Sequence, residues 1–241
     1  MAVIVHVGLH KTGSTWLQQE VFPNLADVTY VGGLARPWLG SIVSGDPVEP
    51  TFPIPTAGTV LWSSEVLAGP LWDPVPPELA AKRLEDVFPG ATILMFTRDA
   101  DEWKGSVYSQ FVHEGGYLAP DEFWRTVPVA STGTDPARVV AAFEQHFPLV
   151  HVLRYEDIRA SPVRVAQQVA SLCDSSLAAP IRGKVHNRRL SRPGLAVLRL
   201  WNRWFRRSRF NPSPLVAVPR AGDFRKVLQR YIDRLVPDRW R

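Results

Sequence analysis

At 241 residues, with 45% hydrophobic and 21% charged positions, the chain has the composition of an ordinary soluble globular protein, long enough for one good core. A single cysteine, Cys173, excludes an internal disulfide framework and fits a reducing compartment, and no apolar run approaches the length of a membrane span. The net charge of +5 conceals an asymmetry, since residues 1–181 carry 11 Lys+Arg against 20 Asp+Glu and residues 182–241 carry 17 against 3. So basic an end implies an anionic partner (a phosphorylated ligand, an acidic lipid surface or nucleic acid) or an arginine-rich face turned to solvent.

Residues 3–7 are a continuous apolar run with β-branched members, which predicts a strand buried on both faces. The chain enters this strand at once, with no basic stretch before it, so the expectation is a cytoplasmic, unanchored protein. Residues 14–22 predict a helix ended near Pro23, and a short strand follows at 28–31. Residues 32–58, rich in Gly, Pro and Ser, read as one long loop, a length that is often functional in a compact domain. Strands are predicted at 59–63 (TVLWS) and 91–97 (ATILMFT), with a helix at 76–88 between them. Helices at 101–112 and 136–146, a strand at 149–153 and a helix at 163–172 complete the first part. In the basic tail, 195–205 and 223–235 each carry a helical stripe. Alternating strands and helices predict an α/β fold: a three-layer α/β/α sandwich around a parallel sheet. We expect a single domain over 1–241, with 1–181 as its α/β core and 182–241 as a basic loop and helices packed on it. Ligands of such sheets lie at the carboxyl ends of the strands, so residues just after strands are the candidates.

The stretch GLHKTGSTW, residues 8–16, has the outline of a phosphate-binding turn: a strand, Gly8, four residues, Gly13, then Ser14 and Thr15 opening a helix. Glycines let the backbone approach an anion, and amides at the start of a helix point at it. A triphosphate-binding loop carries its lysine directly after the second glycine, with a hydroxyl on Mg²⁺. Here Ser14 stands in that place and the lysine is Lys11, inside the loop. The displaced cation suits a donor with one 5′-phosphate bearing a small transferable group, its oxygens bonded by Ser14 and Thr15 with no metal required. The alternative is a tight strand-to-helix turn with no ligand.

GLHKTGSTW resembles the 5′-phosphosulfate loop of P-loop sulfotransferases of the bacterial type. These enzymes move the sulfuryl group of 3′-phosphoadenosine-5′-phosphosulfate (PAPS) to a hydroxyl and release 3′-phosphoadenosine-5′-phosphate. The resemblance implies that Lys11, Thr12, Gly13, Ser14, Thr15 and Trp16 hold the 5′ end of the donor. The family's second signature, an arginine at a strand end followed eight residues later by a serine, is similar to FTRDADEWKGSVYSQF, with Arg98 and Ser106. In the family this pair holds the 3′-phosphate, and a guanidinium fork suits a phosphate dianion. LRYEDI, residues 153–158, resembles a family segment read as structural, with Glu156 or Asp157 pairing a nearby base. KVHNRRLSRPGL, residues 184–195, lies where the family places its final nucleotide-binding loop but departs from the RKGxxGDW form of the animal cytosolic enzymes. Lys184, Asn187, Arg188 and Arg189 are its candidates for nucleotide contact. The resemblance spans most of 1–195 and leaves 32–58 unmatched.

Sulfuryl transfer calls for a base at the acceptor hydroxyl. Glu65, directly after the TVLWS strand, is the first candidate; its alternatives are to cap the next segment or to pair with an arginine. His10, beside Lys11, is the rival base, or else it shapes the loop or touches the acceptor. Lys11 is the candidate to stabilise charge building on the bridging oxygen. His113 and Glu114 either line the acceptor mouth or end a helix in water, and His6 reads as core. His146, His151 and His186 have no metal-site spacing, and no metal is expected. Trp38 and Phe52 either stack on a sugar or aryl acceptor or pin the 32–58 segment to the core. Leu195, Leu198, Trp201 and Phe205 read as a packing face, Arg188, Arg189 and Arg192 suit the 3′-phosphate end, and 199–210 leaves weak contact with an anionic bilayer as an alternative. The partners expected are the nucleotide sulfate donor and a hydroxyl acceptor, carbohydrate or small alcohol or phenol, and not nucleic acid. Two further readings stay open: a P-loop kinase for a small metabolite, for which Asp99 is the nearest strand-end acid, and a non-catalytic adaptor for anionic surfaces.

Overall fold

The computed structural model describes residues 2–46, 49–130, 134–181, 190–219 and 223–224. Among them, five strands carry the sheet: β1 (Ala2–Val7), β2 (Val28–Val31), β3 (Thr59–Ser64), β4 (Thr92–Thr97) and β5 (Leu149–Arg154). The helices in chain order are α1 (Ser14–Trp16), α2 (Arg36–Ser44), α3 (Pro77–Val87), α4 (Ala100–His113), α5 (Pro120–Thr126), α6 (Pro136–Glu144), α7 (Tyr155–Ala160), α8 (Pro162–Leu172) and α9 (Arg192–Phe205).

The strand order is β2-β3-β1-β4-β5, and every pairing is parallel. Ile4 of β1 lies opposite Leu61 of β3 on one side and Thr92 of β4 on the other. Central parallel strands are covered on both faces, which is why β1, β3 and β4 are mainly apolar, with the buried His6 and Ser63 bonded to each other. Alternate residues of β1 enter different cores. Val5 and Val7 pack with Leu39 and Val43 of α2, Leu84 of α3 and Phe143 of α6. Ile4 packs with Trp16, Leu17 and Phe22 and with Val165 and Val169 of α8. Helices therefore cover both faces, and the architecture is the expected three-layer α/β/α sandwich. From β1 the chain runs out to β2, returns to β3, and crosses to β4 and β5, so the carboxyl ends of β3, β1 and β4 stand side by side at the reversal of strand order.

Two compact units divide the chain: Met1–Trp103 with Pro128–His186, and Lys104–Val127 with Asn187–Arg241. The first holds the whole sheet with α1 to α3 and α6 to α8. The second is helical, with most of α4, then α5 and α9. Inside it the Phe111 ring lies 4.5 Å from Phe123 and 4.8 Å from Phe210. The buried Asn202 of α9 donates from Nδ2 to the carbonyls of Val112 and Gly116, at 2.7 and 2.9 Å.

Residues 32–58 are not one irregular loop. A 3₁₀ turn, Gly33–Ala35, leads into α2, with Pro37 in its first turn and Gly45 at φ 84 closing it. The proline and glycine that suggest a loop instead mark the two ends of a helix, where a missing N–H is harmless and a left-handed residue is wanted. Trp38 and Phe52 turn inward, their ring centroids 5.2 and 6.2 Å from Trp62, so they pin the segment to the core. The helix expected at 14–22 changes pitch: α1 passes into a π-helical turn, Leu17–Val21, and a 3₁₀ turn, Phe22–Asn24. α5 and α7 were not expected, because seven and six residues are too few to display a helical period. The stripe at 223–235 falls almost wholly outside the described residues. No helix among the described residues is long and apolar enough to cross a membrane.

Candidate functional site

The turn after β1 is built from close approaches. The Gly8 amide donates to the Ser64 carbonyl at 3.2 Å, which carries the sheet one residue beyond the strand. A Cβ on Gly8 would lie 2.9 Å from both Glu65 Cα and Ser14 Oγ, so only glycine fits between them. Thr12 is buried and its hydroxyl donates to the Leu9 carbonyl at 2.5 Å, closing the loop on itself. Lys11 and Gly13 both sit in the left-handed region, at φ 67 and 94. Glycine adopts that conformation freely, whereas a lysine there is strained and persists only where its surroundings hold it.

Arg98, just past β4, supplies that hold. One terminal nitrogen of its guanidinium, Nη1, donates to the Lys11 carbonyl at 2.9 Å. The other, Nη2, meets Glu102 Oε2 at 3.0 Å, and the group lies over the Tyr155 ring, 4.2 Å from its centroid. Its Nε is buried with no hydrogen-bond partner among the described residues. The Arg98 hydrogen bond holds the Glu102 carboxyl below its usual range, and Arg159 pairs with the same carboxylate at 3.1 Å. Gly13 rests against this cluster, since a Cβ there would lie 3.1 Å from Ile158 and 3.2 Å from Tyr155.

Glu65 and His10 form the other side. His10 Nε2 lies 2.9 Å from the Gly69 carbonyl, and a carbonyl only accepts, so this nitrogen carries the proton. Nδ1 then presents its lone pair toward Glu65 Oε2, 3.9 Å away. Burial lowers the His10 pKa, opposed by the Gly69 hydrogen bond and the Glu65 charge and reinforced by Lys11 and Arg36. The histidine backbone is tied down as well, its carbonyl accepting from Trp103 Nε1 at 2.8 Å. His10 is almost fully buried, whereas the Glu65 side chain keeps 28% of its surface exposed.

Ser14 is buried, and its Oγ has no hydrogen-bond partner among the described residues. A buried hydroxyl left without a partner is costly, and the turn around it offers what an anion's oxygens use. Thr15 is half-buried beside it, and the Trp16 ring packs into the core with Phe22 and Ile158. The fold thus brings together His10, Lys11, Thr12, Gly13, Ser14, Thr15, Glu65 and Arg98 at the ends of β1, β3 and β4. Ser106 lies half-buried on α4, in the second compact unit. Lys184, Asn187, Arg188 and Arg189 lie outside the described residues. His6 is core, its Nδ1 2.8 Å from Ser63 Oγ, and burial holds its pKa at about 3.

Several contributors escape the sequence reading. Gly69, which orients His10, and Glu102, which orients Arg98, carry no local signal. Tyr155 stands in the YEDI segment, but its use as a platform for both Arg98 and Gly13 depends on the sheet. Glu156 Oε1 accepts from the Asp99 amide at 2.9 Å, and Asp157 pairs with Arg164 at 3.2 Å.

No family model and no curated protein matches the sequence. The fold is similar to a crystal structure of a sulfotransferase from Alicyclobacillus acidocaldarius, with a TM-score of 0.54 and 16% identity, over 78% of this chain and 87% of that one. At that identity the likeness is one of fold.

Proposed function

We propose that the chain is a PAPS-dependent sulfotransferase acting on a hydroxyl acceptor, a carbohydrate or a small alcohol or phenol. The observation that carries this reading is the turn at 8–15. Its lysine lies within the loop at Lys11, the buried Ser14 hydroxyl awaits an acceptor for its proton, and a carboxylate, Glu65, packs against Gly8. Lys11, Thr12, Gly13, Ser14 and Thr15 would hold the 5′ end of the donor, with Trp16 anchoring the turn in the core. Arg98 is assigned to the 3′-phosphate on the sequence resemblance, its Nη1 and Nη2 being held by the Lys11 carbonyl and Glu102. The roles of Ser106, Lys184, Asn187 and Arg188 rest on the sequence resemblance.

Bound in this turn, the donor supplies an activated sulfuryl group on its 5′-phosphate. Glu65 is the better placed base, because it reaches solvent while His10 is buried and committed through Nε2 to Gly69. Its carboxylate takes the proton of the acceptor hydroxyl, a role worth roughly 10²–10⁴ in rate. His10 lies beside it, its Nδ1 3.9 Å from Glu65 Oε2. Lys11 provides a fixed positive charge where negative charge builds on the phosphate side, commonly the largest catalytic contribution.

Calorimetry with adenosine 3′,5′-bisphosphate in EDTA tests the donor half, and uptake is expected. Magnesium-dependent uptake of ATP with none of the bisphosphate would overturn the reading in favour of phosphoryl transfer. Labelled donor offered to a panel of sugars, phenols and alcohols tests the acceptor half.

A further inference from the structure

In the second compact unit, α9 is amphipathic and carries apolar side chains that are exposed among the described residues. Gly194, Leu198 and Asn202 form its buried side. Val197, Leu200 and Trp204, spaced three and four residues apart, lie on another face and are exposed, Leu200 by 53% and Trp204 by 43%. Leu215, Val216 and Val218 extend this surface: the Val216 amide donates to the Trp204 carbonyl at 2.9 Å and the Val218 amide to the Phe205 carbonyl at 3.0 Å. All three are exposed, Leu215 by 74%. Arg203 and Arg207 stand exposed beside it, the Arg203 guanidinium 5.7 Å from the Trp204 ring. From 190 to 219 the chain contains six arginines and no aspartate or glutamate.

We propose that this face docks on an anionic phospholipid surface, with Val197, Leu200, Trp204, Leu215 and Val216 entering the headgroup boundary and Arg203 and Arg207 meeting lipid phosphates. Apolar side chains on a segment that carries arginines and no acid match an interface that is apolar beneath and negative above. A tryptophan suits the boundary, since its ring is apolar and its N–H polar. Nucleic acid fits less well: bases stack on aromatic rings, and Trp204 is the one aromatic among these exposed residues. A second copy fits less well, because residues 190–219 offer six arginines and no acid of their own to pair with them. The proposal is independent of the sulfotransferase reading.

The test is cosedimentation of the full chain with vesicles of phosphatidylcholine, with and without phosphatidylglycerol, each variant's fold being checked by circular dichroism. Binding is expected on the anionic vesicles only. Arg203→Gln with Arg207→Gln should weaken it by about 25-fold, from roughly fivefold per arginine near a charged bilayer. Leu200→Ser, at an exposed position that should tolerate it, should weaken it about tenfold or more. Brominated lipid should quench tryptophan fluorescence in the wild type and less so in Trp204→Phe. Failure to sediment with anionic vesicles, or sedimentation unaltered by these variants, would overturn the proposal. So would an oligonucleotide bound in preference to the vesicles.

Discussion

Replacing Lys11 with glycine and, separately, with alanine divides the charge of this residue from its backbone. At φ 67 the lysine backbone is left-handed, a conformation costing an L-residue about 1–2 kcal/mol. Alanine keeps that cost and removes the ammonium. Glycine removes both, but adds roughly 0.5–1 kcal/mol of chain entropy to be lost on folding. At the centre of these ranges the glycine variant should be more stable than the alanine variant by about 0.75 kcal/mol, or roughly 1.5–3 °C in Tm for a chain of this size. Arg98 grips the Lys11 carbonyl, not its side chain, so the loop should keep its path in both variants. Both should lose sulfuryl transfer by about 10²–10³, the usual loss when a group aimed at developing charge is removed. Urea unfolding measures the first quantity, and transfer of labelled sulfate to acceptor the second. Equal stability of the two variants would refute the account of backbone strain. Turnover at the wild-type rate in either would refute the assignment of the ammonium to the reacting group.

Glu65→Gln keeps the shape at the end of β3 and removes the base, so turnover should fall by about 10²–10⁴ while calorimetry shows donor binding unchanged. Gly13→Ala meets a positive φ as well as Ile158 and Tyr155, and should lower the urea-derived stability by about 1–3 kcal/mol. Stability should also depend on pH through His6. The native side chain titrates at about 3 and the unfolded one near 6.5, so above pH 6.5 neither state is protonated and the contribution is constant. Below it the unfolded chain gains a proton that the native state refuses, and stability falls by about 1.4 kcal/mol per pH unit toward pH 3. Urea midpoints at pH 7 and pH 5 should register the drop, and His6→Gln should flatten it.

What the sequence determined by itself is the set of elements whose signal lies among neighbouring residues. The apolar runs at 3–7, 59–63 and 91–97 could only be covered strands, and their alternation with helices required a parallel sheet. The same reading put Lys11, Glu65 and Arg98 just past strand ends. It misread 32–58, because a proline that starts a helix and a glycine that ends one look alike to a loop in composition. Only the tertiary structure decided what these residues meet. Arg98 reaches the Lys11 carbonyl, Nε2 of His10 finds Gly69, and Glu65 backs onto Gly8, each contact joining positions 57 or more residues apart in the chain. No local period encodes such pairs. They follow from the order β3-β1-β4, which aligns three carboxyl ends and leaves each side chain only the partners that the adjacent strands deliver.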